Sequence, residues 1–268
     1  MKRFGASILI AAAALLCVAP VTRAQNAPVV TVLAFDNAAF GPGAKDYDGI
    51  GKGITDLLIL DLASNGKVRV VDRERIQNIL DEQKLSSSGA VDGTTAVRVG
   101  KLLGACYSIY GSFMRDQRTG NNTITLHTTS NETGQIGNGQ KIESKGDDIM
   151  GLIAQASAKF ISMMDVKACP GGMSRSSSAE PAQQGGAKTA PGAAEPQKFA
   201  NALPPEQVKK LEAVKIDART MLLYSRALDA KDHKDKAKAI ELLKQVVAKV
   251  PNFDQANAML ASLSKAGD

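Results

Sequence analysis

The chain has 268 residues, 44% of them apolar, with 33 Lys plus Arg against 27 Asp plus Glu, three Cys, two His and no Trp. It is long enough for one large domain or two small ones, too apolar for wholesale disorder, and too poor in Cys for a disulfide-dense mini-protein. His127 and His233 cannot furnish a His-rich metal site, and the pI near 9.2 raises nucleic acid or an anionic membrane as partners, which the distribution of charge must answer.

Lys2-Arg3 opens the chain, an uncharged apolar run spans 8–19, and Thr22-Arg23-Ala24 follows. A basic start, a short apolar stretch and small residues at the last and third-last positions describe a secretory signal peptide over residues 1–24, cleaved between Ala24 and Gln25. The run falls well short of the ~20 residues of a membrane-spanning helix. Leu15-Leu16 before Cys17 is unlike the small residues that precede a lipid-modified Cys, which argues against acylation. The mature chain is therefore expected to be exported, periplasmic and without a membrane-spanning segment. Cleavage removes Cys17 and leaves Cys106 and Cys169, which an oxidising compartment allows to pair. The other reading of Cys106 is a small core residue at the start of a buried strand.

Val29 to Phe35 is a near-continuous apolar, β-branched run, as in a strand buried on both faces. Ile50, Ile54, Leu57 and Leu58 recur at helical spacing, and Asn65-Gly66 supplies a stop. Val68 to Val71 reads as a second strand, with Asp72 capping a helix through Ile76, Ile79 and Leu80. A helix from Asp92 carries Ala96, Val99, Gly100 and Leu103 on one face and ends at Gly104, and Tyr107 to Phe113 is a third strand. Thr123–Ser130 and Gln135–Glu143 form a hairpin around Glu132-Thr133-Gly134. Asp147 is expected to cap a closing helix with Leu152, Ile153, Ala156 and Phe160 as its apolar stripe. The fold class is α/β, a mixed sheet covered by helices, over residues 25–165.

Six of the ten prolines fall between Pro170 and Pro205, among Ser, Gly and Ala. That composition predicts a flexible, disordered linker over 166–204. A small all-α module over 205–268 follows. Val208, Leu211 and Val214 mark a leading helix, Leu223 and Ala227 the next, Ala239, Leu243 and Val246 a third beyond the Asp232-His233-Lys234 turn. After Pro251-Asn252, Ala256, Leu260 and Leu263 mark the last.

The stretch Val70-Val71-Asp72-Arg73-Glu74-Arg75, then Ile79 to Ser86, Gly89-Ala90-Val91-Asp92, Gly100 to Ala105 and Gly111-Ser112 resembles the CsgG family, the curli production assembly and transport component. Val32 to Asn37 and Leu57 to Leu62 are similar to the family's first strand and helix. The resemblance implies an outer-membrane secretion channel or a pore-less periplasmic relative. Short loops and the lack of an aromatic girdle favour the pore-less form. From Asp217 the chain resembles one tetratricopeptide repeat. One repeat buries too little surface to stand alone, so it is expected to join the preceding helix, a partner, or another copy of the chain as a homo-oligomer.

No catalytic constellation emerges. Gly49-Ile50-Gly51-Lys52-Gly53-Ile54-Thr55 lacks the P-loop spacing and reads as a tight entry to a helix. Asp81-Glu82 and Asp147-Asp148 lie where carboxylates favour a helix terminus or solubility. The sequons at Asn121 and Asn131 have no evident use in a bacterial export context. No catalytic, metal-ligating or cofactor-binding residue is expected, and no cofactor. The charge divides as well: residues 25–165 carry a net −2, the linker to Gln197 +1 and Lys198–Asp268 +4, so a nucleic-acid partner is not expected. The sequence predicts a non-enzymatic periplasmic protein that binds envelope proteins in assembly or secretion. The alternatives are a channel subunit or a periplasmic activator of cell-wall enzymes.

Overall fold

The structure, a computed structural model, describes residues 27–39, 41–83, 85, 92–137, 139–144, 146–164 and 198–265. The expected cleavage site at Ala24 and Gln25, most of the expected linker, and Cys169 lie outside the described residues. The N-terminal part is ordered as Val29–Asn37 (β1), Gly51–Asn65 (α1), Arg69–Val70 (β2), Arg73–Glu82 (α2), Gly93–Leu102 (α3), Tyr107–Arg115 (β3), Asn122–Ser130 (β4), Gln140–Ser144 (β5) and Ile149–Met163 (α4). The strands form one mixed sheet in the order β2-β1-β3-β4-β5, parallel from β2 through β3 and antiparallel beyond. The crossovers from β1 to β2 and from β2 to β3 run in opposite directions, which sends α1 and the α2–α3 pair to opposite faces. α4 joins α1 on its face.

Local chemistry sets the helix ends. Asp72 accepts from the Glu74 amide at 2.8 Å to start α2, and Asp92 from the Thr95 amide at 2.7 Å to start α3. Gly66, with φ of 72°, takes the left-handed turn that ends α1. The closing helix departs from expectation, because Asp148 rather than Asp147 caps α4, accepting from the Gly151 amide at 3.0 Å. Asp147 is drawn elsewhere, accepting from Arg115 Nη1 at 2.6 Å and from the Ala218 amide at 2.9 Å. The second arm of the hairpin is also interrupted. Ile136 bridges Thr129, and the ladder resumes only at Gln140.

Pro205–Ala213 (α5), Ala218–Asp232 (α6), Lys236–Lys249 (α7) and Asp254–Lys265 (α8) follow. These helices pack on the α/β layer: α6 lies on α1, α7 on α6 and α8 on α7. The approach to α5 is also engaged. Phe199 bridges Val71 beside β2, the Ala200 amide donates to Val70 at 2.9 Å, and the Arg69 guanidinium lies 3.8 Å over the Phe199 ring. Residues 198–200, expected within the linker, thus cover the outer edge of β2.

The cluster from Gly49 to Thr55 acquires its meaning here. A Cβ at Gly51 would lie 1.5 Å from the Phe35 carbonyl oxygen, and one at Gly53 2.5 Å from Ser225 Oγ and 2.9 Å from Met221 Sδ. Thr55 Oγ1 accepts from the Phe35 amide at 3.2 Å and donates to the Leu33 carbonyl at 3.3 Å. Both bonds fall where the β1–β3 register shifts between Val32 and Phe35. The start of α1 is pressed between β1 and α6, and two of its residues lack side chains because there is no room for them. Gly51→Ala is expected to destabilise the protein by more than the ~1–3 kcal/mol typical of overpacking, because a backbone carbonyl blocks it. Gly53→Ala should fall within that range, since Met221 and Ser225 can move. Urea unfolding midpoints of the two variants check the order.

Candidate functional site

The contact of α6 with α1 and α2 is the most heavily built polar region among the described residues. Arg73 donates Nη1 and Nη2 to the two oxygens of Asp232 at 2.7 and 2.9 Å, and Nε to Asp56 Oδ1 at 3.1 Å. The Tyr224 hydroxyl donates to the other Asp56 oxygen at 2.8 Å. Lys52 Nζ lies 2.7 Å from Asp229 and 3.1 Å from Asp232, and Lys231 Nζ reaches Glu74 at 2.6 Å. Ser225 Oγ accepts from the Gly53 amide at 2.9 Å and lies 2.8 Å from the Ile50 carbonyl. The spacing of Asp229 and Asp232 places both carboxylates on the side of α6 that faces α1 and α2.

Burial raises the Asp56 carboxyl above the usual aspartate range, against the opposing pull of Arg73 and Tyr224. Burial also pushes up the Asp232 carboxyl, but the hydrogen bonds and charge of Arg73, followed by Lys52, overcome it and hold that group below its ordinary value. The Tyr224 hydroxyl is driven well up by burial and by the adjacent Asp56. Proton exchange with solvent is not what this cluster is arranged for. It fixes the register of α6 on the layer.

Beside it, the carboxyl end of β1, the turn before α1 and α6 enclose an open cleft of about 570 Å³. Asp36, Asn37 and Asp48 line one wall, Arg226 and Asp229 the other, with Lys52 between them. β2 pairs only with Val29 and Val30, so along this end β1 is flanked by β3 on one side and by no strand on the β2 side.

Cys106 precedes β3, with its amide donating to the Val29 carbonyl at 2.8 Å. It is disulfide-bonded, and both other cysteines of the sequence lie outside the described residues. His127 stacks on Tyr110 with ring centroids 5.3 Å apart. His233 ends α6, its Nδ1 2.9 Å from the Asp229 carbonyl. Asn131 is buried, donating to the Ala105 carbonyl and accepting from Ser108, both at 2.8 Å, so it cannot carry a glycan. The polar junction was not foreseen. Its signal was Asp56 on the stretch of α1 that holds Ile54, Leu57 and Leu58, since a charge at such a position demands a partner.

Residues 12–121 match the family model of the curli production assembly/transport component CsgG. Over that stretch the chain is similar to the CsgG family. The match covers β1 through β3, whereas β4, β5 and the helices from α4 onward lie beyond it. Three solved structures are similar to part of the chain. The LpoB C-terminal domain from Salmonella enterica is 20% identical, with 45% of this chain and 84% of that one covered and a TM-score of 0.35. Lipoprotein GNA1162 from Neisseria meningitidis is 10% identical, with 51% and 97% covered and a TM-score of 0.37. The PelC dodecamer from Paraburkholderia phytofirmans is 14% identical, with 53% and 91% covered and a TM-score of 0.31. Comparison with curated proteins gave no match.

Two measurements test this chemistry. Asp232 has a lowered carboxyl, so its contribution to stability is complete above the ordinary aspartate value of 3.8 and is lost as pH falls through the still lower folded value. Asp232→Asn should therefore be less stable than the native chain at neutral pH, and the difference should shrink below about pH 4 in urea titrations. If signal cleavage removes Cys17, Cys169 is the cysteine that remains to pair with Cys106. Thiol labelling of unfolded, unreduced mature protein is then expected to find no free thiol, and two free thiols would exclude the bond.

Proposed function

We propose that the chain is an exported, non-enzymatic protein of the cell envelope that acts in assembly or secretion by binding other proteins. The observation that carries this reading is the surface left by the docking of α6. The junction turns Asp229 and Asp232 toward the CsgG-like layer, while Lys234, Lys238, Lys244 and Lys249 stay exposed. On α7 and α8, Leu242, Val247, Met259, Leu260 and Leu263 are only partly buried. A basic, partly apolar helical surface suits an amphipathic segment of a partner protein carrying acidic groups. The family match at residues 12–121 adds support for the envelope. No helix among the described residues is long and apolar enough to cross a membrane.

Intact mass of protein recovered from the envelope should give a chain that begins at Gln25, and a chain that keeps Met1 would count against export. Release with the soluble periplasm and capture of specific proteins by in-cell crosslinking are the expected outcomes. Lys244→Glu with Lys249→Glu should reduce that capture by about tenfold or more if opposite charge steers the partner. Recovery as heat-resistant oligomers from outer-membrane extracts would replace this reading with a channel subunit.

A further inference from the structure

We infer that the cleft between β1 and α6 is a recognition site for a short peptide segment that carries a basic side chain close to an acidic one. This deepens the protein-binding reading and rests on it. The cleft's volume of about 570 Å³ lies within the range of ligand sites, and it opens at the carboxyl end of β1, where β2 has stopped and β3 continues on the other side.

Strand addition is not the mode of binding here. The Phe35 amide and the Leu33 carbonyl, which an added strand could use, are both engaged by Thr55 Oγ1. Recognition therefore falls to side chains, and these are divided by wall. Asp36 and Asp48 stand on the β1 side, with Asp48 Oδ1 accepting from Asn37 Nδ2 at 2.8 Å. Exposed Arg226 stands on the α6 side. Lys52 is held between Asp229 and Asp232, so its charge is already balanced and Arg226 is the cation that can meet an incoming carboxylate. A segment bearing Lys or Arg toward Asp48 and Asp or Glu toward Arg226 satisfies both walls. A ligand of one sign leaves one wall opposed.

The test uses the full mature chain, labelled with ¹⁵N, and a lysyl-glutamate dipeptide acetylated and amidated at its ends. The dipeptide is expected to shift the amide resonances of Gly49, Lys52 and Ser225, whereas the equally blocked alanyl-alanine is not. Arg226→Glu and Asp48→Lys should each weaken the response by about tenfold or more. Both side chains are exposed, and unchanged thermal midpoints would establish that the variants fold. Absence of the shifts, equal shifts with alanyl-alanine, or an undiminished response in folded Arg226→Glu would overturn the assignment. Crosslinking capture that persists without a dipeptide response would sink the cleft and leave the protein-binding reading standing. A dipeptide response without any protein capture would keep the cleft as a site for free peptides and sink the other reading.

Discussion

The architecture depends on the close approach of α1 to β1 on one side and to α6 on another. A helix whose axis is drawn that near a strand cannot carry a Cβ at the contact, and Gly51 meets the Phe35 carbonyl where one would be. Two residues on, Gly53 gives α6 the same access, and its amide is met by Ser225 Oγ instead of by water. Thr55 completes the turn by bonding the irregular backbone of β1. Residues 51, 53 and 55 thus join sheet, helix and C-terminal helices over little more than one helical turn. Glycine is costly inside a helix. Its presence here reflects the gain in apolar burial that close packing allows, with Ile54, Leu57, Leu58 and Leu62 fully buried beside it.

Burial alone would let α6 slide or rotate on such a surface, because apolar contact is non-directional. The charged groups remove that freedom. Arg73 reaches from α2 to Asp232 with both terminal nitrogens, a planar match that a shift of one turn would break. The groups are largely withdrawn from solvent, so the net stabilisation from the pairing is modest once desolvation is included, and the loss on removing one partner is large. The cluster therefore acts mainly on register. Tyr224 shows both effects in one residue, with its ring 4.9 Å from Phe253 at the start of α8 and its hydroxyl on Asp56.

What could be read from the sequence follows the range of the interaction involved. Asp72, Asp92, Gly66 and the apolar stripes act within a turn or two, so helix ends and the succession of strands and helices were legible. Asp147 and Asp148 show where local reasoning stops. Either residue could cap α4, and the choice fell to Asp148 because Arg115 and the Ala218 amide, both distant in sequence, engage Asp147. Phe199 lay inside a composition typical of a linker, and only the open edge of β2 explains its pairing. The junction could not be derived, since Arg73 and Asp232 are 159 residues apart and nothing local ties one to the other. A deficit was still visible, because helices with the burial of a single repeat required something further to pack against. The CsgG-like layer of the same chain meets that need.

The charge of the chain changes meaning once the junction is known. By composition the C-terminal region is basic and the α/β region slightly acidic, which would suggest simple attraction between the two. Apart from Lys231 on Glu74, the ion pairs of the junction run the other way in sign. The acidic region contributes Lys52 and Arg73, and the basic helices contribute Asp229 and Asp232. Docking thus withdraws Lys52, Arg73 and Asp232 from solvent, while Asp229 stays half exposed. The outward faces become more polarised than composition indicates, more acidic on the layer and more basic on α7 and α8. Packing the chain on itself therefore sharpens the surface it presents to others, since electrostatic steering responds to the charge left in solvent rather than to the pI. The cleft lies where those two faces meet, with carboxylates of the layer opposite Arg226 of α6. A ligand with both signs can use the boundary itself, and that boundary exists only while α6 is docked.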